Sequence, residues 1–256
     1  LGPYGRELES FATEDPANRT LLLYAKLLSV EQKISKIAVS SGSFTVSKAL
    51  SDNIKNYTHA VLLSPKLSTY KGEIIWKRVM AVIKHLNVNV PDNLESDRHV
   101  YKAVKEAVTL ELTQTRSKIK KAIASSRTTN QSVYELANGL VESTQCVVTV
   151  ALCARLALLR KVHAEKDKSG PKYWDHVDEY LKMVRTVAEG SEEKIQQALS
   201  TMLAQDRSIY GTKSQSTIPS DSSPNEWQTT VDDVISTSAT TPADGSTQDD
   251  EADGDD

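Results

Sequence analysis

The residues best placed to do chemistry are cations on a long stretch, Asp97 to Ser126, that contains neither glycine nor proline. On a continuous helix turning 100° per residue, Arg98, Lys102, Lys105, Arg116, Lys120 and Arg127 share an arc of roughly 60°. Such a row can follow a phosphate backbone, each contact releasing counterions and giving a salt-dependent affinity. The densest run is Arg116-Ser117-Lys118-Ile119-Lys120-Lys121, and Ser117, Ser125, Ser126, Thr128 and Thr129 add hydroxyls that can bond phosphate oxygens. The row therefore points to a polyanion, DNA or RNA, held mostly by charge. The competing reading is a solvated outer face whose long side chains lie over the apolar stripe beside them, with Glu106 and Glu111 tempering the field. The aromatic interleaving of a base-stacking surface is missing, as are RRM, KH, zinc-finger and basic-zipper patterns.

A second constellation lies near the C-terminus. Trp227, Val231 and Ile235 recur every fourth residue among Glu226, Asp232 and Asp233. That is the pattern of a short amphipathic helix able to dock in an apolar groove of a protein partner. It supports the alternative function, a protein-interaction scaffold with no nucleic-acid ligand.

Other chemistries find little support. Cys146 and Cys153 stand seven residues apart, on one helix by this reading, without a CxxC or HExxH pattern, and His59, His85, His99, His163 and His176 are scattered. Buried packing suits the cysteines better, and neither a metal nor any other cofactor is expected. No GxSxG, P-loop or GxGxxG is present. The acids and imidazole of Trp174-Asp175-His176 and Asp178-Glu179 do not converge at adjacent helix positions, so the expectation is a non-enzymatic protein.

The elements that would carry these residues are helical almost throughout. Asp15-Pro16 opens a helix whose stripe runs through Leu21, Leu22, Tyr24, Ala25, Leu28, Glu31, Ile34 and Ile37 to a break at Ser40-Ser41-Gly42-Ser43. Further helices are expected over Phe44–Leu63, Lys71–Leu86, Asp97–Ser126, Val133–Val141, Thr144–Glu165, Tyr173–Ala188 and Ser191–Tyr210. Gly190 serves as a C-terminal stop, Ser191-Glu192-Glu193-Lys194 resembles a capping box, and the last helix ends at Gly211. Cys146 to Val150 has high β-propensity but runs directly into helix-favouring residues. The fold class is therefore all-α, a bundle of seven or eight helices over residues 1–211, forming either one domain or two closely packed halves that meet near 87–93.

Charge divides unevenly along the 256 residues. From Gly211 onward one base, Lys213, faces eleven acids, a net −10 that leaves +7 on the rest. Residues 212–256 have few large apolar side chains and are read as a disordered acidic tail that could compete with a polyanion for the basic row. Ser223-Pro224 and Thr241-Pro242 are proline-directed phosphorylation patterns there, and Ser246 and Thr247 precede acids by three residues. No secretory signal is visible, and the longest apolar run, Val147 to Leu159, is broken by Arg155 and too short to span a membrane. The expected setting is intracellular, with nucleus and cytoplasm not distinguished, although residue 1 is leucine and leaves a preceding segment open.

Three segments carry a resemblance: Leu22-Leu23-Tyr24-Ala25-Lys26-Leu27-Leu28, Asn56-Tyr57-Thr58-His59-Ala60-Val61-Leu62-Leu63-Ser64-Pro65, and Leu112-Thr113-Gln114-Thr115-Arg116-Ser117-Lys118-Ile119-Lys120-Lys121. They resemble stretches of all-helical proteins from mushroom-forming fungi (basidiomycetes) with no known function. The resemblance implies an intracellular member of a lineage-expanded group and brings no activity, cofactor or site residue.

Overall fold

Ser47, Asp97, Ser132, Thr149 and Ser191 each accept a backbone N–H from the turn that follows, and these caps set where the main helices begin. The structure is a computed structural model that describes residues 5–40, 44–142, 144–166, 169–211 and 223–237. Among the described residues it is all-α, with ten helices and no strand. The break at Ser41-Gly42-Ser43 and the tail positions Thr241, Pro242, Ser246 and Thr247 lie outside the described residues.

The chain forms two compact units, 1–45 and 46–256, so the division falls near Thr45 and not near 87–93. The stretch 87–93 is a connector inside the second unit, where the helices on either side of it pack together.

The first unit contains α1 (Gly5–Thr13) and α2 (Pro16–Ser40). Asp15 caps α2 as the Asp-Pro pair predicts, accepting from the N–H groups of Ala17 (3.0 Å) and Asn18 (3.3 Å). Leu21, Leu22, Leu23, Tyr24, Leu27, Leu28 and Val30 of α2 are 45–67% exposed.

The second unit holds α3 (Lys48–Leu63), α4 (Glu73–Leu86), α5 (Arg98–Thr128), α6 (Val133–Val141), α7 (Val150–Glu165), α8 (Lys172–Val187), α9 (Glu192–Ile209) and α10 (Glu226–Thr237). Its centre is α7, buried without interruption from Leu152 to Arg160 and in contact with α5, α6, α8 and α9. The long α5 lies across α3, α4, α6 and α7 with Val100, Val104, Val108, Leu112, Ile119 and Ile123 inward, the stripe its sequence predicts.

Several boundaries differ from the sequence reading for local reasons. α3 starts at Lys48 because the Ser47 hydroxyl takes the Leu50 N–H. α7 starts at Val150, not Thr144, because Thr149 caps it through the Leu152 N–H (3.1 Å). The β-favouring residues before it, 146–149, are not helical, so Cys146 and Cys153 do not share a helix. The C-terminus of α8 is a Schellman turn, with Glu189 N–H to Thr186 O and Gly190 N–H to Arg185 O both at 3.1 Å. Glu189 therefore takes the first left-handed position (φ 54°) and Gly190 the second (φ 74°).

The largest difference concerns residues 223–237, which the sequence reading leaves in a disordered tail. Glu226–Thr237 is helical and packs on α3 and α4, with Val231 and Ile235 at 1% and 0% exposure. Three apolar residues are too few to form a core, but they suffice to fill a groove that the other helices have already built.

Candidate functional site

The α5 row divides into an outer and an inner part. Arg98 is exposed beside the Asp97 cap, and Lys102 approaches Glu106 (3.8 Å) at the surface. Lys105 lies over the Trp76 ring of α4, its Nζ 4.4 Å from the ring centre. Further along, each cation is committed to the chain itself. Arg116 donates to the Tyr70 carbonyl (2.9 Å) and to Thr113 Oγ1 (3.3 Å). Lys120 donates to the Gly170 carbonyl (3.0 Å) and stands over Tyr173. Arg127 donates to the His163 carbonyl (3.0 Å) and to Tyr210 Oη (3.2 Å), and its Nη1 lies 2.9 Å from His163 Nδ1.

The arc inferred from spacing thus collects Arg116, Lys120 and Arg127 along the seams where α5 meets the 64–72 connector, the start of α8 and the ends of α7 and α9. Burial, the larger effect, pulls the Arg116 guanidinium below its ordinary pKa, with the Asp178 carboxylate acting in the opposite sense. A phosphate backbone would have to displace these carbonyl bonds to reach them. Lys118 and Lys121 are exposed but point to other sides of the helix.

The Trp227 segment meets a groove of its own chain. Trp227 packs on Tyr57 of α3 with ring centres 6.2 Å apart. Asn225 caps α10 through the Gln228 N–H (2.8 Å), and the Gln228 side chain clamps Val147, accepting its N–H (2.8 Å) and donating to its carbonyl (3.1 Å). Ser64 Oγ donates to Asp232 in a short hydrogen bond. Val231 and Ile235 are consequently closed to an outside partner, a correction to the expectation that they bind one.

Beside α10 lies a cavity of about 390 Å³ whose lining includes Ser64, Lys66, Cys146, Thr149, Gln228 and Asp232. No histidine lines it, so the Ser64–Asp232 pair has no imidazole base and does not form a nucleophilic triad. The Cys146 thiol is pushed up by burial, away from the reactive thiolate. Cys153 is pushed further, to about 12, for the same reason. Among the described residues no group of three or more His, Cys, Asp and Glu is placed to hold a metal. No helix among them is long and apolar enough to cross a membrane.

Sequence reasoning missed the 64–72 connector, whose backbone is held by charged side chains from α7 and α8. Asp178 of α8 accepts the Tyr70 N–H (2.6 Å), the Thr69 hydroxyl (2.6 Å) and the Lys71 N–H (3.0 Å). Arg155 donates to the Pro65 and Leu67 carbonyls, and Arg185 to those of Leu67 and Ser68. Thus the acid of the Asp178-Glu179 pair has a structural task. The available signal was Arg155 itself, a charge inside the apolar run Val147 to Leu159.

No protein-family description, curated protein or solved structure matches the chain.

Proposed function

We propose that the chain is a non-enzymatic helical scaffold that acts through protein–protein contact, with α2 as the contacting element and a second copy of the chain as its partner. The observation that carries this reading is the exposure of seven large apolar side chains between Leu21 and Val30. A helix that is apolar around its circumference belongs inside an assembly. Leu23, Leu27 and Val30 follow steps of four and three, and the sequence continues the alternation with Ile34 and Ile37, the a/d spacing of a coiled-coil seam. In a parallel pair Lys26 falls at g and Glu31 of the other copy at the facing e position, an attraction. An antiparallel pair would instead bring g positions together, setting Lys26 and Lys33 against their own kind.

Light scattering on the full chain tests this. At tens of micromolar, the mass is expected to exceed the 28.2 kDa of one chain and to return to it in Leu27→Glu. A monomeric wild-type chain at that concentration overturns the reading.

The polyanion reading of the α5 row is the weaker of the two, because Arg116, Lys120 and Arg127 already bond the chain's own carbonyls. It requires steeply salt-dependent binding of DNA or RNA, with the slope falling by about one for each phosphate-contacting base removed. Fluorescence anisotropy over a salt series measures that slope.

A further inference from the structure

The chain holds three Ser/Thr-Pro pairs, Ser64-Pro65, Ser223-Pro224 and Thr241-Pro242. The two described ones stand in opposite settings. Ser64 is 4% exposed at the end of α3, and its hydroxyl is bonded to Asp232, which closes it to a kinase. Ser223 and Pro224 are both exposed, in non-helical backbone directly ahead of Asn225, the cap of α10. Proline steers the residue before it away from helical backbone and brings no N–H of its own, so the pair remains outside the helix. The contacts that seat α10 all lie C-terminal to it: the Asn225 cap, the Gln228 clamp on Val147, and buried Val231 and Ile235. The Ser223 hydroxyl is therefore presented to solvent while α10 stays in its groove.

We propose that Ser223 is a phosphorylation site for a proline-directed protein kinase, and that its phosphate fastens α10 in the groove. Ser223 Oγ attacks the γ-phosphorus of ATP, the bond from that phosphorus to the bridging β–γ oxygen breaks, ADP leaves, and the hydroxyl proton passes to the kinase. The ester carries about −1.5 to −2 of charge. It stands just ahead of the N-terminus of α10, the positive end of that helix's dipole. Ser223 also shares the cavity of about 390 Å³ with Lys66 and with Thr149 to Leu152, the cap and first turn of α7. Two acids oppose the phosphate. Glu226 is exposed and screened by solvent. Asp232 lines the same cavity but lies six residues beyond Glu226, about 9 Å along the helix axis. The attraction of the helix end is nearer and prevails, at about two- to fivefold in the opening equilibrium of α10. The inference is independent of α2 and of the scaffold reading.

The test uses the full chain carrying Thr241→Ala, so that any effect on α10 belongs to Ser223. The chain is incubated with a purified proline-directed serine/threonine kinase and ATP, and the modified residues are located by mass spectrometry. Phosphate is expected on Ser223 and not on Ser64, and the Ser223 signal is expected to vanish in Ser223→Ala, an exposed change that leaves the contacts of α10 in place. Amide hydrogen exchange then compares the phosphorylated and untreated chains. Exchange at Val231 to Ile235 is expected to slow by about two- to fivefold at low salt, with the difference shrinking at high salt. An unmodified Ser223, under conditions in which the kinase modifies a free peptide carrying Ser223-Pro224, would overturn the proposal. So would phosphate on Ser223 with exchange at Val231 to Ile235 unchanged or faster.

Discussion

α2 and α7 are both leucine-rich helices, yet they stand at opposite extremes of exposure. α7 has four helices around it and buries even Arg155 and Arg160, whereas α2 leaves its leucines in solvent. The difference lies in what surrounds each helix. Within its own unit α2 has α1, nine residues long, for company, and a 45-residue unit cannot enclose a 25-residue apolar helix. Apolar content thus says that a helix will be covered, while the number of neighbouring elements decides whether the same chain does it.

The comparison breaks most sharply at a buried charge. Arg160 of α7 faces Asp206 of α9 at 3.5 Å with almost no exposure on either side, and it also donates to the Gln131 carbonyl (2.9 Å). Asp206→Ala leaves that guanidinium uncompensated and is expected to cost about 3–5 kcal/mol by urea unfolding. A loss under 1 kcal/mol would mean that α7 tolerates unpaired charge as a surface helix does.

Next in size, Leu156→Ala in the centre of α7 is expected to cost about 2–5 kcal/mol, and Leu27→Ala in α2 less than about 0.5 kcal/mol, measured at concentrations too low for association. Equal costs at the two sites would erase the distinction.

The smallest effect concerns pH. Burial raises the Asp232 carboxyl above its ordinary 3.8, against the lowering effects of Ser64 and Lys66. Because the folded state holds this proton more tightly than the unfolded chain, its contribution is fully present below pH 3.8 and is lost as pH rises through the folded value. Asp232→Asn, which keeps an acceptor for Ser64, is therefore expected to gain on the wild type between pH 4 and pH 7. Partial exposure limits the gain to below about 1 kcal/mol. Urea midpoints at the two pH values check the sign.

Local signals were readable in the sequence wherever the responsible partner lies within a few residues. The Asp15-Pro16 start, the Val133–Val141 helix and the inward stripe of α5 all rest on neighbours two to four positions away. The fate of the basic row was not readable, because the carbonyls that bind Arg116, Lys120 and Arg127 come from positions 36 to 50 residues distant. Spacing put those cations on one side of α5, but it could not say that the side would be a seam. The same limit applies to Trp227, Val231 and Ile235, whose periodicity was plain while the groove that receives them is assembled by α3 and α4. The start of α7 failed for a smaller reason: Thr149 competes locally for the backbone and stops the helix from extending to Thr144.

The return of the chain to that groove has a kinetic and competitive consequence. Eleven residues separate Gly211, at the end of α9, from Ser223, where the chain is next described ahead of α10. A tether that short holds the Trp227 helix at a local concentration on the order of millimolar. Any foreign helix that seeks the α3–α4 groove must outcompete a ligand that is always present and whose occupancy does not fall on dilution. Peptides of ordinary affinity for that surface would therefore score as non-binders against the full chain and as binders once residues 223–237 are removed.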